Sequence, residues 1–179
     1  MKNEIVIDGV TYVRKEEVTK EELKLHDLVN YKGYEWYVIG IQNNEVILMM
    51  KECLDSIKYS DENSNDWLNS NVLNYLENWA ANTEINLNEI IVHVSNYDEN
   101  KQSYDKVRIP TLREIESLPM EIRECGKPYW TMTASYGVSE DCEYAHVFGV
   151  DANGILTYYY VNYANGVRPV ITLATDELN

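Results

Sequence analysis

Three histidines, three cysteines and two acidic runs are the groups in this chain that could do chemistry. A covalent mechanism needs a nucleophile beside a base, and Cys142 followed by His146 is the nearest thiol-imidazole combination. Catalytic partners meet in space rather than along the chain, so that spacing carries little weight. His93, in Ile90-Ile91-Val92-His93-Val94, and His146, in Tyr144-Ala145-His146-Val147-Phe148, both read as strand residues. No catalytic grouping is recognisable, and no catalytic residue is assigned. An enzyme would require a pKa-shifted Cys or His clustered in a cleft. Cys53, Cys125 and Cys142 are odd in number, widely separated and without Cys-x-x-Cys spacing. That predicts neither a disulfide framework nor a zinc knuckle, and it fits a reducing, cytoplasmic compartment.

The acidic runs point to binding. Asp61, Glu62, Asn63, Asn65 and Asp66 offer hard oxygens, but not in the ligand order of a calcium loop, so no metal or cofactor is expected. Glu140, Asp141 and Glu143 form the second run. One reading is solubility alone. The other is a phosphate-like surface that fills the basic groove of a nucleic-acid enzyme through charge-assisted hydrogen bonds to Arg and Lys. Tyr158, Tyr160 and Tyr163 would supply aromatic anchors beside it. Strand alternation turns Tyr159 to the face opposite Tyr158 and Tyr160. The formal charge of -15 agrees with this partition. It disfavours direct nucleic-acid and anionic-membrane binding and steers a basic protein toward the chain. The N-terminus has no apolar signal core, and no segment approaches a membrane span.

The elements that must position these residues are mostly strands. Ile5-Val6-Ile7 and Val10-Thr11-Tyr12-Val13 flank Asp8-Gly9, the signature of a type I′ hairpin. Arg14 to Lys24 is charged, with capping-box spacing at Thr19 and Glu22. A second hairpin joins residues 34–41 and 45–50 through Asn43-Asn44. Trp36 and Val38 should share one face, with Tyr37 and Ile39 on the other. The apolar run 46–50 should lie centrally. A helix is expected from about Asp66 to Asn82, with Trp67, Val72, Leu73, Leu76 and Trp79 on its buried stripe. A helical turn is expected at 86–91 and a polar loop at 98–104. Val107-Arg108-Ile109-Pro110 reads as an edge strand, and Thr111-Leu112-Arg113-Glu114 as a capping box. Pro119 should open one more turn, which Gly126 stops. Short strands with Gly and Asn turns follow to the C-terminus. Arg168, before Pro169 in an extended segment, is expected to pin a loop carboxylate or carbonyl. Trp67 and Trp130 are expected to be structural.

Several of these segments, taken in order, resemble a family of uncharacterised bacterial and phage domains. They are Tyr31-Lys32-Gly33-Tyr34-Glu35-Trp36, Asp66-Trp67-Leu68-Asn69-Ser70-Asn71-Val72-Leu73, Ile109-Pro110-Thr111-Leu112-Arg113-Glu114, Tyr129-Trp130-Thr131-Met132-Thr133 and Gly166-Val167-Arg168-Pro169. Tyr75 stands where the family pattern has a second Trp, and Met132 where it has Arg. The resemblance covers Leu25 to Leu173. It implies an α+β domain of C-type-lectin-like type: a twisted antiparallel sheet, two main helices and long loops. Residues 1–24 then form an N-terminal hairpin and linker, and 25–179 the domain. The opening residues resemble those of small phage-encoded proteins. The expected function is a non-catalytic, phage-encoded binding protein that engages a basic host protein. An inhibitor of a nucleic-acid-guided defence nuclease, of anti-CRISPR type, fits size and acidity. A lectin-like ligand or cell-surface binding module is the alternative, although the Glu-Pro-Asn, Gln-Pro-Asp and Trp-Asn-Asp motifs of calcium-dependent sugar sites are missing. An enzyme of unknown reaction ranks third.

Overall fold

A computed structural model describes residues 4–7, 10–13, 22–98, 100–135 and 143–178. Strands β1 (Glu4–Ile7) and β2 (Val10–Val13) pair antiparallel with Ile7 opposite Val10. They form a two-stranded sheet of their own. The Asp8-Gly9 turn between them and Thr19 lie outside the described residues.

The next strands are β3 (Leu28–Tyr31), β4 (Tyr34–Gln42) and β5 (Glu45–Met50). Asn43 and Asn44 have φ of 50° and 65°, the left-handed pair that a type I′ turn demands. With β9 (Val107–Arg108) and β14 (Val170–Ala174), these strands make a five-stranded antiparallel sheet in the order β3-β4-β5-β14-β9. The apolar β5 is its middle strand, and β9 is an edge. Alternation divides β4 as expected. Trp36 and Val38 are fully buried in the main core. Tyr37 and Ile39 pack on a second cluster built from Met49, Ile115, Ile122 and Val170. Both faces of β5 are therefore covered, which is why its sequence is almost continuously apolar.

A second five-stranded sheet contains β6 (Ser56–Lys58), β10 (Tyr129–Ala134), β11 (His146–Val150), β12 (Leu156–Tyr160) and β13 (Ala164–Gly166). Its order is β12-β11-β10-β13-β6. The β11–β12 hairpin turns through Asp151, whose Oδ1 accepts from the amides of Asn153 and Ile155, and Gly154 takes φ of 81°. The pairing of β10 with β13 is parallel. The sheet is thus mixed, not antiparallel throughout.

The helices are fewer and shorter than expected. The 66–82 helix begins late: a 3-10 turn occupies Trp67–Asn69, and α1 runs over Asn71–Ala81. Ser70 separates the two because its hydroxyl accepts from the Leu73 amide and caps α1, as a serine N-cap does. Val72, Leu76 and Ala80 form the buried stripe, while Trp67 is buried ahead of the helix and donates Nε1–H to Asp105 at 2.9 Å. α2 (Leu112–Ser117) and α3 (Met120–Arg123) are short, so α1 is the one long helix among the described residues. The capping box at Thr111 and Glu114 is fully formed. Glu114 also takes a bidentate fork from Arg108, at 2.8 and 2.6 Å. Arg108 is buried, and this pair ties β9 to α2. Burial pushes the Glu114 carboxyl up, but the Arg108 charge and the Thr111 donors outweigh it and hold the group below its ordinary value.

The 98–104 segment is not a loop. β7 (His93–Asp98) and β8 (Lys101–Asp105) form a hairpin across it. Ser95, Tyr97, Ser103 and Asp105 turn inward, and the polar character of three of them hid the alternation. Residues 86–91 hold a turn followed by a bridge from Ile90 to Leu173. No helix among the described residues is long and apolar enough to cross a membrane.

Candidate functional site

An aromatic strip with an acidic border lies along β12, the outer strand of the second sheet. Residues of β12 alternate, so Tyr159 faces inward with its ring 5.9 Å from that of Trp130. Tyr158 and Tyr160 point the other way, 52% and 37% exposed. The His146 ring sits beside both, with centroids 5.1 and 4.5 Å away. Tyr160 also meets Tyr144 at 5.7 Å and Tyr163 at 5.5 Å. Tyr163 is 51% exposed, and its amide donates to the Tyr160 carbonyl in the turn after β12. His146 itself is buried, so it supports the strip from beneath.

The Asp61–Asp66 loop meets the chain at Glu143, just ahead of β11. Asn63 clamps the chain entering β11: its Nδ2 donates to the Glu143 carbonyl at 2.9 Å, and its Oδ1 accepts from the Ala145 amide at 3.0 Å. Asn65 Nδ2 adds a bond to the His146 carbonyl at 3.3 Å. Residues eighty apart in sequence are thereby fixed together, and the Asp61–Asp66 loop lies against the chain entering β11, the strand beside β12. Asn63 adopts φ of 54°, a left-handed conformation that asparagine tolerates.

The carboxylates differ in availability. Glu62 and Glu143 are exposed and make no ion pair among the described residues. Asp61 pairs with Lys58 at 3.2 Å and accepts from Asn71, and those two partners lower its pKa. Asp66 is turned to structural work. It accepts from Tyr97 and Asn69 and pairs with Lys101 at 3.2 Å. Burial pushes its carboxyl up, but these donors outweigh it and hold the pKa down. Glu140 and Asp141 lie outside the described residues.

Arg168 and Trp130 belong to the framework. Trp130 is fully buried and donates Nε1–H to the Ile57 carbonyl. Arg168 is also fully buried. Its Nε donates to the Met50 carbonyl at 2.8 Å and one terminal nitrogen to Lys51 at 2.9 Å. The other reaches the carbonyls of Ile122 and Arg123 and the Tyr129 hydroxyl, at 2.8, 3.3 and 3.2 Å. The guanidinium carbon lies 5.1 Å from the Tyr129 ring centroid. No carboxylate pairs with this cation among the described residues. The five-donor fork of arginine is what lets one side chain hold two loops.

A thiol pair beside Arg168 was not legible in the sequence. Cys53 and Cys125 are separated by 72 residues, yet their sulfurs lie 2.6 Å apart. The 51–55 segment and the turn after α3 bring them together. Both loops are held by Arg168. Gly166 leaves room for Cys53: a Cβ there would meet the Cys53 Cβ at 3.1 Å and the Pro128 carbonyl at 3.1 Å. The shared hydrogen bond and burial push the Cys53 thiol up. For Cys125 that same hydrogen bond lowers the pKa, with Arg168 adding to it against the opposing effect of burial.

A groove of about 390 Å³ lies between α1 and the β8–β9 segment. Two of its polar groups are engaged, since Asp105 accepts from Trp67 and Lys106 donates to the Leu87 carbonyl at 2.6 Å, while Glu77 and Tyr104 lie at its exposed edge. Among the described residues no three His, Cys, Asp or Glu side chains are placed to hold a metal ion. No family model, curated protein or solved structure matches this chain.

Proposed function

We propose that this chain is a non-catalytic acidic protein that binds a basic protein partner through the tyrosine strip of β12 and its acidic border. One observation carries the reading: Asn63 ties the loop that holds Glu62 to the chain at Glu143, which leads into β11, the strand whose His146 packs on Tyr158 and Tyr160, with Tyr163 beside Tyr160. Large amphipathic rings give contact area at little entropic cost, and unpaired carboxylates beside them select Arg and Lys. The charge of -15 adds long-range steering toward a basic surface. A nucleic-acid-guided defence nuclease is the partner class that best suits this chemistry, with this chain as its cytoplasmic, phage-encoded inhibitor. The carboxylates take the place of nucleic-acid phosphates in the nuclease groove. The C-type-lectin-like resemblance supports the same reading, because that fold is mainly a platform for binding.

The test measures association of an RNA-guided nuclease, without and with its guide, over a series of salt concentrations. Wild type is compared with Glu62→Gln/Glu143→Gln and with Tyr158→Ala/Tyr160→Ala/Tyr163→Ala. The carboxylate variant should associate more slowly and show a flatter salt dependence, since exposed charges act over about 10 Å at 0.1 M salt. The tyrosine variant should dissociate faster. Binding that is indifferent to both sets of changes removes this surface from the function. Salt-insensitive capture of a neutral glycan instead places the lectin-like alternative first.

A further inference from the structure

We infer that Cys53 and Cys125 form a redox-active dithiol that closes reversibly to a disulfide by exchange with a small disulfide, with Cys125 as the entering sulfur. The geometry carries this. The two sulfurs are 2.6 Å apart and in direct contact, so an S–S bond of about 2.05 Å forms without rearranging either backbone segment. A metal ion held between them is the competing use of two thiols. It would need each sulfur about 2.3 Å away, which in a tetrahedral site separates the sulfurs by almost 4 Å. Among the described residues no third His, Cys, Asp or Glu side chain stands with them to complete such a site.

The surroundings favour a thiolate. Arg168 is a buried cation whose donors all go to carbonyls and one phenol, so its charge is not neutralised by any described carboxylate. Lys127, which donates to the Leu54 carbonyl at 2.7 Å, adds positive charge near Cys53. Thiolates form and react beside such cations. The shared hydrogen bond gives the pair one proton donor and one acceptor, and its effect on the two thiols is opposite in sign. Both cysteines are partly accessible, and Cys125 is the sulfur held below its ordinary pKa by its bond with Cys53 and by the Arg168 charge, against burial.

The exchange balances with a low-molecular-weight disulfide as oxidant. The Cys125 thiolate attacks one sulfur of that disulfide; the S–S bond breaks, and the released thiolate takes a proton from solvent. Cys53 then loses its proton to solvent and attacks Cys125 Sγ. The mixed disulfide breaks, and a second small thiol leaves. Two electrons pass from the protein pair to the oxidant. Excess small thiol reverses both steps. The product would link the loop after β5 to the turn after α3, the same two segments that Arg168 joins.

The experiment treats the full reduced chain with oxidised glutathione, then maps cross-linked peptides and counts alkylatable thiols. The wild type should lose two of its three alkylatable thiols to a Cys53–Cys125 link, and dithiothreitol should restore them. In Cys53→Ser, a glutathione adduct should accumulate on Cys125. In Cys125→Ser, an adduct should form on Cys53 more slowly than on Cys125 in Cys53→Ser, because burial still raises the Cys53 thiol once its partner is gone. The wild-type map decides the matter even if a variant folds poorly. Retention of all three free thiols after oxidant, a link through Cys142, or equal reactivity of Cys53 and Cys125 would overturn the assignment.

Discussion

Replacing Arg168 with Met should reveal how far the two halves of the molecule depend on one side chain. Met keeps the length and apolar stem but removes every donor. The Met50 and Ile122 carbonyls lose their bonds from Arg168, and Lys51 keeps only a long thiol contact at 3.8 Å. The Arg123 carbonyl retains the Tyr129 hydroxyl at 2.9 Å, so it is spared. Each stranded buried acceptor costs about 1–3 kcal/mol. Part of that sum is offset because a buried cation no longer has to be desolvated. A net loss of about 3 kcal/mol follows, a large share of the roughly 5–15 kcal/mol that a domain possesses. For a chain of this size that corresponds to about 6–12 °C in Tm. Arg168→Lys separates charge from geometry. One ammonium keeps the charge but cannot span both loops, so it should recover less than half of the loss. Urea titration and thermal melts of both variants give the answer. The Cys125 thiol should also alkylate more slowly at neutral pH in Arg168→Met, because a thiolate-stabilising charge is gone. A Met variant within about 0.5 kcal/mol of wild type, or a Lys variant equal to it, would refute the reasoning.

Glu114→Gln should cost about 3 kcal/mol, because it leaves buried Arg108 without its counter-ion, and urea titration measures it. The folded Glu114 pKa lies below its ordinary value of 4.5, so its contribution is complete above that pH and fades as pH falls through the folded value. Stability measured against pH should therefore be flatter on the acid side in Glu114→Gln than in wild type; identical acid limbs would count against the pair. Removal of residues 1–18 should leave a single cooperative thermal transition, since β1 and β2 pair only with each other among the described strands. Loss of that transition would place the hairpin in the core.

Features set by neighbours in sequence were legible, and features set by distant neighbours were not. The Thr111–Glu114 box, the Asn43-Asn44 turn and the inward Tyr159 each depend on residues a few positions apart, and each is where its local chemistry puts it. The start of α1 differs from the expected one because of a competition between two candidate caps. Asp66 and Ser70 both suit an N-cap, but Asp66 is drawn away by Lys101 and Tyr97, leaving the cap to Ser70. That competition involves residues thirty positions downstream, which no local pattern weighs. The β7–β8 hairpin was hidden because Ser95, Ser103 and Asp105 face inward, against the usual apolar code for a buried strand face.

The same distinction governs the two sites. The tyrosines of β12 announce a surface by alternation, but only Asn63 and Asn65, bonded across eighty residues, bring the Asp61–Asp66 loop to the neighbouring β11. The Cys53–Cys125 pair is the extreme case: it lies 72 residues apart and shares no motif. It exists because the Arg168 guanidinium gathers two loops by their carbonyls, and Gly166 leaves the space for Cys53 between them. Cysteine spacing reads local chelation and disulfide frameworks well. It has no means of reading a pair assembled by a third residue. The closing Gly166-Val167-Arg168-Pro169 segment carried the structural information, and the thiols inherit their proximity from it.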